Sequence, residues 1–482
     1  MPTSFRYSPD PRFQALGPEF ADPVAPARFP AEILRFRNQR AAAGVGLEDF
    51  TAAEWASAFA RFEPLPGNQS EPLSMRYHGH QFRSYNPQLG DGRGFLFAQL
   101  REAKSERLLD LGTKGSGRTP YSRFGDGRLT LKGGVREVLA SEMLEALGVP
   151  TSRSFALFET GESLERSDEP SPTRSAVLTR LSHSHIRFGT FQRHAHLQRP
   201  DLLQRLIDHV VEVYYPDLAP LEGDERTAGL LGAVVERAAE LTARWMAAGF
   251  VHGVLNTDNM NITGESFDYG PYRFLPYSDP TFTAAYFDQT GLYSFGRQPE
   301  AVFWNLQQLA VALAQTACEQ EPLAEALHGF GAAYRRALTG AVLALLGLKS
   351  QGGTQDETLL AAVLQAIAEG GQALRWEPFF FDWFGGSMSE QRALGGARGP
   401  LYQGEAGKAF RQALGGYEPE TPGRLTHPYF ARTEPEELLY DEIETIWALI
   451  AEHDDWSLFE AKLERINEAR SAWGLQAAVR TA

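Results

Sequence analysis

The hydrophobic period of this 482-residue chain changes near residue 200, and that change constrains the fold more than any other feature. Before it, short apolar runs bounded by glycine and charge read as strands, at 95–100, 107–112, 154–159 and 175–180. After it, Leu203, Leu206, Ile207, Val210 and Tyr214, then Leu231, Val234, Val235, Ala238, Leu241 and Trp245, recur at the spacing of a buried helix face. One helix interrupts the strand-rich half, carried by Val135, Val138, Leu139, Met143 and Leu144 and stopped at Gly148. A strand-rich half followed by a helix-rich half predicts a two-lobed α+β fold. The expected divisions are an N-terminal extension over 1–70 packed on the body, a strand-rich lobe over 71–195, a helical lobe over 196–345 and a helical C-terminal extension over 346–482. Further helices are expected at 53–62, 299–313, 359–367, 436–450 and 456–466, with 385–423 a glycine-rich, largely irregular connection.

The second long helix leads into Val251-His252-Gly253-Val254-Leu255-Asn256-Thr257-Asp258-Asn259, followed by Phe267-Asp268-Tyr269-Gly270. Asp258, Asn259 and Asp268 carry the oxygen ligands that a hard cation such as Mg²⁺ takes. The spacing fits the protein-kinase catalytic loop, H-R-D-x-x-x-x-N followed by D-F-G, with His252 and Asn259 aligned without a gap. Asn259 and Asp268 then fall on the metal ligands. Val254 falls where the kinase has its proton-accepting aspartate, and valine cannot accept a proton. A carboxylate, Asp258, instead directly precedes the asparagine.

Upstream, Gln88-Leu89-Gly90-Asp91-Gly92-Arg93-Gly94 precedes one strand and Lys114 ends the next. Glycines there let backbone N–H groups approach phosphate, and a strand-end lysine pairs with it, although Gly-Asp-Gly equally suits a hairpin turn. The stretch 114–128 is basic and glycine-rich, as a polyanion site or a solvated loop would be. Glu137, on the interrupting helix, is either the orienting partner of Lys114 or an exposed helix residue. Arg180 and Arg187 are suited to clamp phosphate oxygens. His78 and His80 share a face only on a strand; with no third ligand evident they read as structural rather than as a zinc pair, as do His183 and His185.

A formal net charge of −15 argues against a nucleic-acid partner. The single Cys318 excludes an intramolecular disulfide and a cysteine zinc site, which suits a reducing compartment. No run is long and apolar enough to span a bilayer, so no membrane partner is expected, and Met1-Pro2-Thr3-Ser4-Phe5 begins neither a signal nor a transit segment. The expected location is the cytoplasm.

With these residues laid out, the chain resembles the selenoprotein O family of kinase-like protein adenylyltransferases. The resemblance rests on Tyr77-His78-Gly79-His80-Gln81-Phe82, Pro87-Gln88-Leu89-Gly90-Asp91-Gly92-Arg93, Lys114-Gly115-Ser116-Gly117-Arg118-Thr119-Pro120-Tyr121-Ser122-Arg123, Gly125-Asp126-Gly127-Arg128, Ser184-His185-Ile186-Arg187-Phe188-Gly189-Thr190-Phe191, 252–260 and Asp268-Tyr269-Gly270-Pro271, in that order. It implies a kinase-like fold that binds ATP in an orientation reversed from a kinase's and transfers AMP to Ser, Thr or Tyr hydroxyls of protein substrates. It places nucleotide contacts on Gly90, Gly92, Arg93, Lys114, Asp126, Gly127, Arg180, Arg187 and Asp268, the proton acceptor on Asp258, and Mg²⁺ or Mn²⁺ on Asn259 and Asp268, with Glu137 supporting Lys114. The chain departs from the family at Lys132-Gly133-Gly134, where Arg-Ser-Ser is usual, and at Phe124, where glycine is usual. The family's Asn-Pro-Lys-Tyr block is not recognisable, so residues after about 345 carry no implied role; one cysteine supports no intramolecular redox clasp. Two rival readings are a kinase-like phosphotransferase and a non-catalytic ATP-binding pseudokinase scaffold.

Overall fold

A strand that is apolar on both faces must be covered on both faces, and the central strands of this protein are buried along most of their length. The computed structural model describes residue 4 and residues 6–167, 169–316 and 318–475. In chain order the strands of the first part are β1 (Ala21–Pro23), β2 (Ile33–Arg37), β3 (Leu73–Met75), β4 (Gly79–Gln81), β5 (Ser84–Asn86), β6 (Leu96–Arg101), β7 (Leu108–Lys114), β8 (Leu129–Thr130), β9 (Arg153–Leu164) and β10 (Thr173–Ser182). All but β4 and β5 form one antiparallel sheet in the order β1-β3-β6-β7-β10-β9-β2, with β8 paired to β10; β4 and β5 make a separate hairpin. The first 70 residues therefore supply both outer strands.

Two helical layers cover this sheet. From the N-terminal segment come α1 (Gln39–Gly44) and α2 (Ala52–Phe59), the latter opened by a reciprocal Thr51–Glu54 capping box. Trp55 of α2 stacks on Phe155 of β9 at 5.1 Å, and Phe59 meets the same ring edge-on at 5.2 Å. On the other face lies α3 (Leu131–Ala146), whose first turn is capped by the Thr130 hydroxyl accepting from the Gly133 N–H at 3.1 Å. Val135, Val138 and Leu139 join Leu157 and Leu178 in its core, each such side chain contributing about 2 kcal/mol when fully buried. The Lys132-Gly133-Gly134 departure has a packing reason. A Cβ on Gly134 would stand 2.5 Å from Leu157, so glycine lets α3 lie close on β9, while Lys132 reaches Glu444 near the C-terminus at 2.7 Å.

The helical part begins with α4 (Phe188–His196), α5 (Pro200–Tyr214) and the 25-residue α6 (Gly223–Ala247). It continues after α7 (Gln298–Leu313) in helices that reach Trp473. Between α6 and α7, β11 (Phe250–Val251) pairs with β12 (Arg273–Phe274), matching Phe250 with Phe274 and Val251 with Arg273. That two-residue ladder closes 252–272 into a loop anchored at its base. The described chain thus combines helices with an antiparallel sheet. No helix among the described residues is long and apolar enough to cross a membrane.

The expected irregular connection at 385–423 is corrected by a helix, Glu405–Leu414, that buries Ala406, Phe410 and Leu414 at i, i+4 and i+8. Its buried apolar face is only Ala406, Phe410 and Leu414, so glycine density outweighed the period. Trp376–Trp383, where every residue is buried, was not expected as a helix because five aromatics in eight positions, with Glu377 and Asp382 buried among them, leave no polar face to mark a 3.6-residue period.

Candidate functional site

The loop closed by β11 and β12 faces the sheet across a cavity of about 750 Å³. Every residue expected from the sequence to touch nucleotide or metal lines it: Gly90, Gly92 and Arg93 from the glycine turn; Lys114 from the end of β7; Asp126 and Gly127 from the basic loop; Arg180 from β10 and Arg187 just before α4; and Asp258, Asn259 and Asp268. Glu137 does not line the cavity but stands directly behind it. Its Oε1 accepts from Lys114 Nζ at 2.5 Å, and it is 2 % exposed, so the exposed-helix reading of Glu137 is set aside.

Asp268 is where the charges converge. It adopts a left-handed backbone conformation with φ 61°. Its Oδ1 accepts from Lys114 Nζ at 3.2 Å and Arg180 Nη1 at 2.5 Å, and its Oδ2 accepts from Arg187 Nη1 at 2.8 Å. Burial alone would raise the Asp268 pKa, but Lys114, Arg180 and Arg187 outweigh it and hold the carboxyl well below its ordinary value. Arg187 also donates to the Asp258 carbonyl at 2.6 Å and lies 4.6 Å over the Tyr77 ring. Its position is set by a short bridge, in which Phe188 N–H donates to Met260 O and Ile262 N–H to Ile186 O, each at 2.9 Å.

Asp258 has the opposite environment. It is 9 % exposed, its Oδ1 has no hydrogen-bond partner among the described residues, and burial, opposed chiefly by Arg187, pushes its pKa up to about 6. The loop beneath it is fixed by polar contacts. His252, wholly buried, pairs through Nε2 with Phe267 O at 3.0 Å, and Asn259 Nδ2 donates to Val254 O at 2.9 Å. Val254, whose side chain cannot take a proton, therefore holds the asparagine amide through its carbonyl.

Two features were missed in the sequence. The β4–β5 hairpin lies on the loop closed by β11 and β12: His80 N–H donates to Thr257 Oγ1 at 2.7 Å, and Phe82 N–H to Asn256 Oδ1 at 3.1 Å. The His80 ring accepts from Gln192 Nε2 at 2.9 Å, while His78 pairs with the Tyr85 hydroxyl at 2.8 Å, so both imidazoles are structural. The second is Tyr121, which covers the glycine turn. A Cβ on Gly90 would fall 2.3 Å from its ring, so the basic loop closes over that turn. Phe124, at the far end of that loop, lines the cavity and is fully exposed. Gly-x-Gly placed before a strand was a visible signal; its covering by an aromatic 30 residues on was not.

The donor set suits a divalent cation carried largely by phosphate oxygens. With the Asn259 amide N–H₂ committed to Val254, its Oδ1 accepts from no described residue, and Asp268 Oδ2 accepts one bond where a carboxylate oxygen has room for two. No group of three or more His, Cys, Asp or Glu able to hold a metal occurs among the described residues.

A sequence model of the family described as "Protein adenylyltransferase SelO" matches residues 4–467. Among similar proteins, the "Protein nucleotidyltransferase YdiU" of Synechocystis sp. is 44% identical over 479 residues, covering 95% of this chain and 97% of that one. The protein of the same name from Gloeobacter violaceus is 46% identical over 471 residues, covering 95% of each. That of Pseudomonas entomophila is 41% identical over 367 residues, 75% of this chain and 73% of the relative.

Proposed function

The chain belongs to the protein adenylyltransferase SelO family and is a protein nucleotidyltransferase, and from that premise we propose that its cleft moves AMP from ATP to a Ser, Thr or Tyr hydroxyl of a protein substrate. The observation that carries this reading is the pair of carboxylates in one cleft with opposed environments: Asp268 ringed by Lys114, Arg180 and Arg187, and Asp258 buried with an oxygen uncommitted.

Lys114, held by Glu137, and the two arginines bind the triphosphate and steady the charge that develops on pyrophosphate as it leaves. The glycine turn and the basic loop, with Gly90, Gly92, Arg93, Asp126 and Gly127, enclose the nucleotide from the sheet side. Asn259 and Asp268 would hold Mg²⁺ or Mn²⁺, which when bound would neutralise triphosphate charge and polarise the α-phosphoryl group. The acceptor oxygen bonds to the α-phosphorus, the bond from that phosphorus to the bridging oxygen breaks, and the electron pair leaves with pyrophosphate. Asp258 takes the hydroxyl proton. With a pKa of about 6 it is mostly ionised at neutral pH yet basic enough to accept a proton. Val254 needs no replacement in this scheme, because the acceptor approaches Asp258 rather than the kinase base position.

The same reading treats 71–195 and 196–345 as the two lobes of a kinase-like fold, with 1–70 and 346–482 as extensions. Its support is the Lys114–Glu137 pair at the end of an antiparallel sheet and the anchored loop that follows α6. ATP labelled at the α or the γ phosphate tests the reaction. Protein carrying α label, with pyrophosphate released and an AMP increment in intact mass, is the expected result. Protein carrying γ label overturns it.

A further inference from the structure

A second cavity, of about 630 Å³, opens where the β6–β7 turn, the start of β9 and the end of β10 meet α6 and the last helix, Ser457–Trp473. It shares no lining residue with the nucleotide cleft. Seven basic side chains and four carboxylates line it, in a protein whose net charge is −15. Arg107 and Arg153 share a single carboxylate, Glu102, at 3.1 and 3.3 Å. Arg237 has no carboxylate partner among the described residues; its guanidinium lies 4.0 Å over the Tyr215 ring and donates to the Tyr214 carbonyl at 3.2 Å. Three guanidinium groups, suited to oxyanions by their planar fork, thus face one cavity with Glu102 as their one ion-pair partner among the described residues, while Glu265 of the same wall feels the charge of Arg107 and Arg153.

An unpartnered buried side chain lies among them. His183 is 6 % exposed and lines the cavity, and its ring makes no hydrogen bond to any described residue. Burial, then Arg107, Arg237 and Arg153, holds its pKa well below the ordinary histidine value, so the ring is neutral and offers one N–H. Its backbone N–H is already committed, donating to Glu265 Oε2 at 2.6 Å.

We propose that this cavity binds a small phosphate-bearing anion between Arg107, Arg153 and Arg237, with the His183 ring donating to it, and that occupancy is felt in the nucleotide cleft. The coupling has a short physical route. His183 lies between Arg180 and Arg187 in sequence, both of which reach Asp268. Glu265 and Thr151 of the cavity wall adjoin the segment that bears Asp268: Ser152 N–H donates to Ser266 O at 2.8 Å, and Thr151 Oγ1 is bonded to the Tyr269 hydroxyl. An anion that draws the arginines and His183 together tightens both segments at once.

The proposal does not depend on the transfer activity, since the test is binding of inorganic phosphate to the full chain without nucleotide, by calorimetry and thermal stabilisation. Saturable binding is expected. Arg237→Ala should weaken it roughly tenfold or more, and Lys104→Glu, at the exposed rim, roughly threefold without lowering the melting temperature of the free protein. Arg187→Ala, in the nucleotide cleft, should leave it intact. Should Arg237→Ala fail to fold, Lys104→Glu decides. Unchanged affinity in both cavity variants, or binding abolished by Arg187→Ala, overturns the site. Glycerol 3-phosphate separates the two sources of the anion: tighter binding than inorganic phosphate identifies a phosphate ester, weaker binding the free ion. For the coupling, saturating phosphate should shift the KM for ATP in the wild type and not in Arg237→Ala; a shift that persists in that variant is competition within the cleft and overturns the coupling.

Discussion

Asp258 and Asp268 are chemically identical, and their surroundings give them different work. Around Asp268, two guanidinium groups and an ammonium make ionisation the only stable state, so this carboxylate is a fixed negative charge fit to hold a cation. Around Asp258, burial raises the pKa to about 6, which leaves a carboxylate able to take a proton and lose it again. The two substitutions should therefore fail in different ways. Asp258→Asn should lower AMP transfer by about 10²-fold or more while ATP still stabilises the protein thermally, because the cation and phosphate contacts remain. Asp268→Ala should lose transfer and metal-dependent nucleotide binding together. It should also strip buried Arg180 of its one ion-pair partner among the described residues, while Lys114 keeps Glu137 and Arg187 keeps Asp91 at 3.6 Å, costing several kcal/mol of stability. Retention of transfer in Asp258→Asn, measured by label from α-labelled ATP, would remove Asp258 from the reaction.

The element that holds Asp258 in place is the β4–β5 hairpin, and its role is specific enough to test. Gly79 of β4 presses on the loop: a Cβ there would stand 3.1 Å from Asp258 Cβ and 3.1 Å from Thr257 Oγ1. Gly79→Val should push Asp258 by a few tenths of an ångström and lower kcat roughly tenfold, with ATP-dependent stabilisation little changed, since displacements of that size act on alignment more than on binding. Equal losses of kcat and of ATP binding would show instead that the hairpin supports the whole cleft. The hairpin also marks the limit of what was legible beforehand. His252, Asn259 and Asp268 were readable because their roles depend on spacing within one segment, and Lys114 because it ends a recognisable strand. Tyr77, Asp91 and Tyr121 act through contacts between distant segments, such as Arg187 over the Tyr77 ring at 4.6 Å and beside the Asp91 carboxylate at 3.6 Å, and no local pattern announces such contacts. The same division holds for the helices. The amphipathic α5 was visible in the period of its leucines, whereas Trp376–Trp383, buried on every side, and Glu405–Leu414, set between glycines, were not.

Across the whole molecule, stability against acid is set by buried groups whose contributions oppose one another. Histidines buried as neutral rings favour the folded state less as pH falls, because the unfolded chain takes up protons near pH 6.5 while the folded chain refuses them. Burial pushes His194 down to about 3, His209 to about 4 and His78 to about 4. Two buried carboxylates whose pKa burial raises act in the other direction: Glu437, raised to about 7, and Glu377, raised well above its ordinary value, bind protons in the folded state first, so acidification relieves their cost. The wild-type profile is thus a difference, and a single substitution isolates one side of it. His194 is the cleanest choice. It is fully buried against Phe20 at 4.4 Å, neither ring nitrogen has a partner among the described residues, and it lies on α4, the helix that Arg187 precedes. Above pH 6.5 the ring is neutral in both states and contributes no pH dependence. From pH 6.5 to 5 the unfolded chain gains the proton alone, which costs the wild type about 2 kcal/mol at about 1.4 kcal/mol per pH unit. His194→Leu should therefore change from its stability relative to wild type at pH 7.5 by about 2 kcal/mol in its favour at pH 5, read from denaturant midpoints at the two pH values. Parallel pH profiles for the two proteins would mean that His194 is protonated in the folded state, and that α4 tolerates a charge at its core.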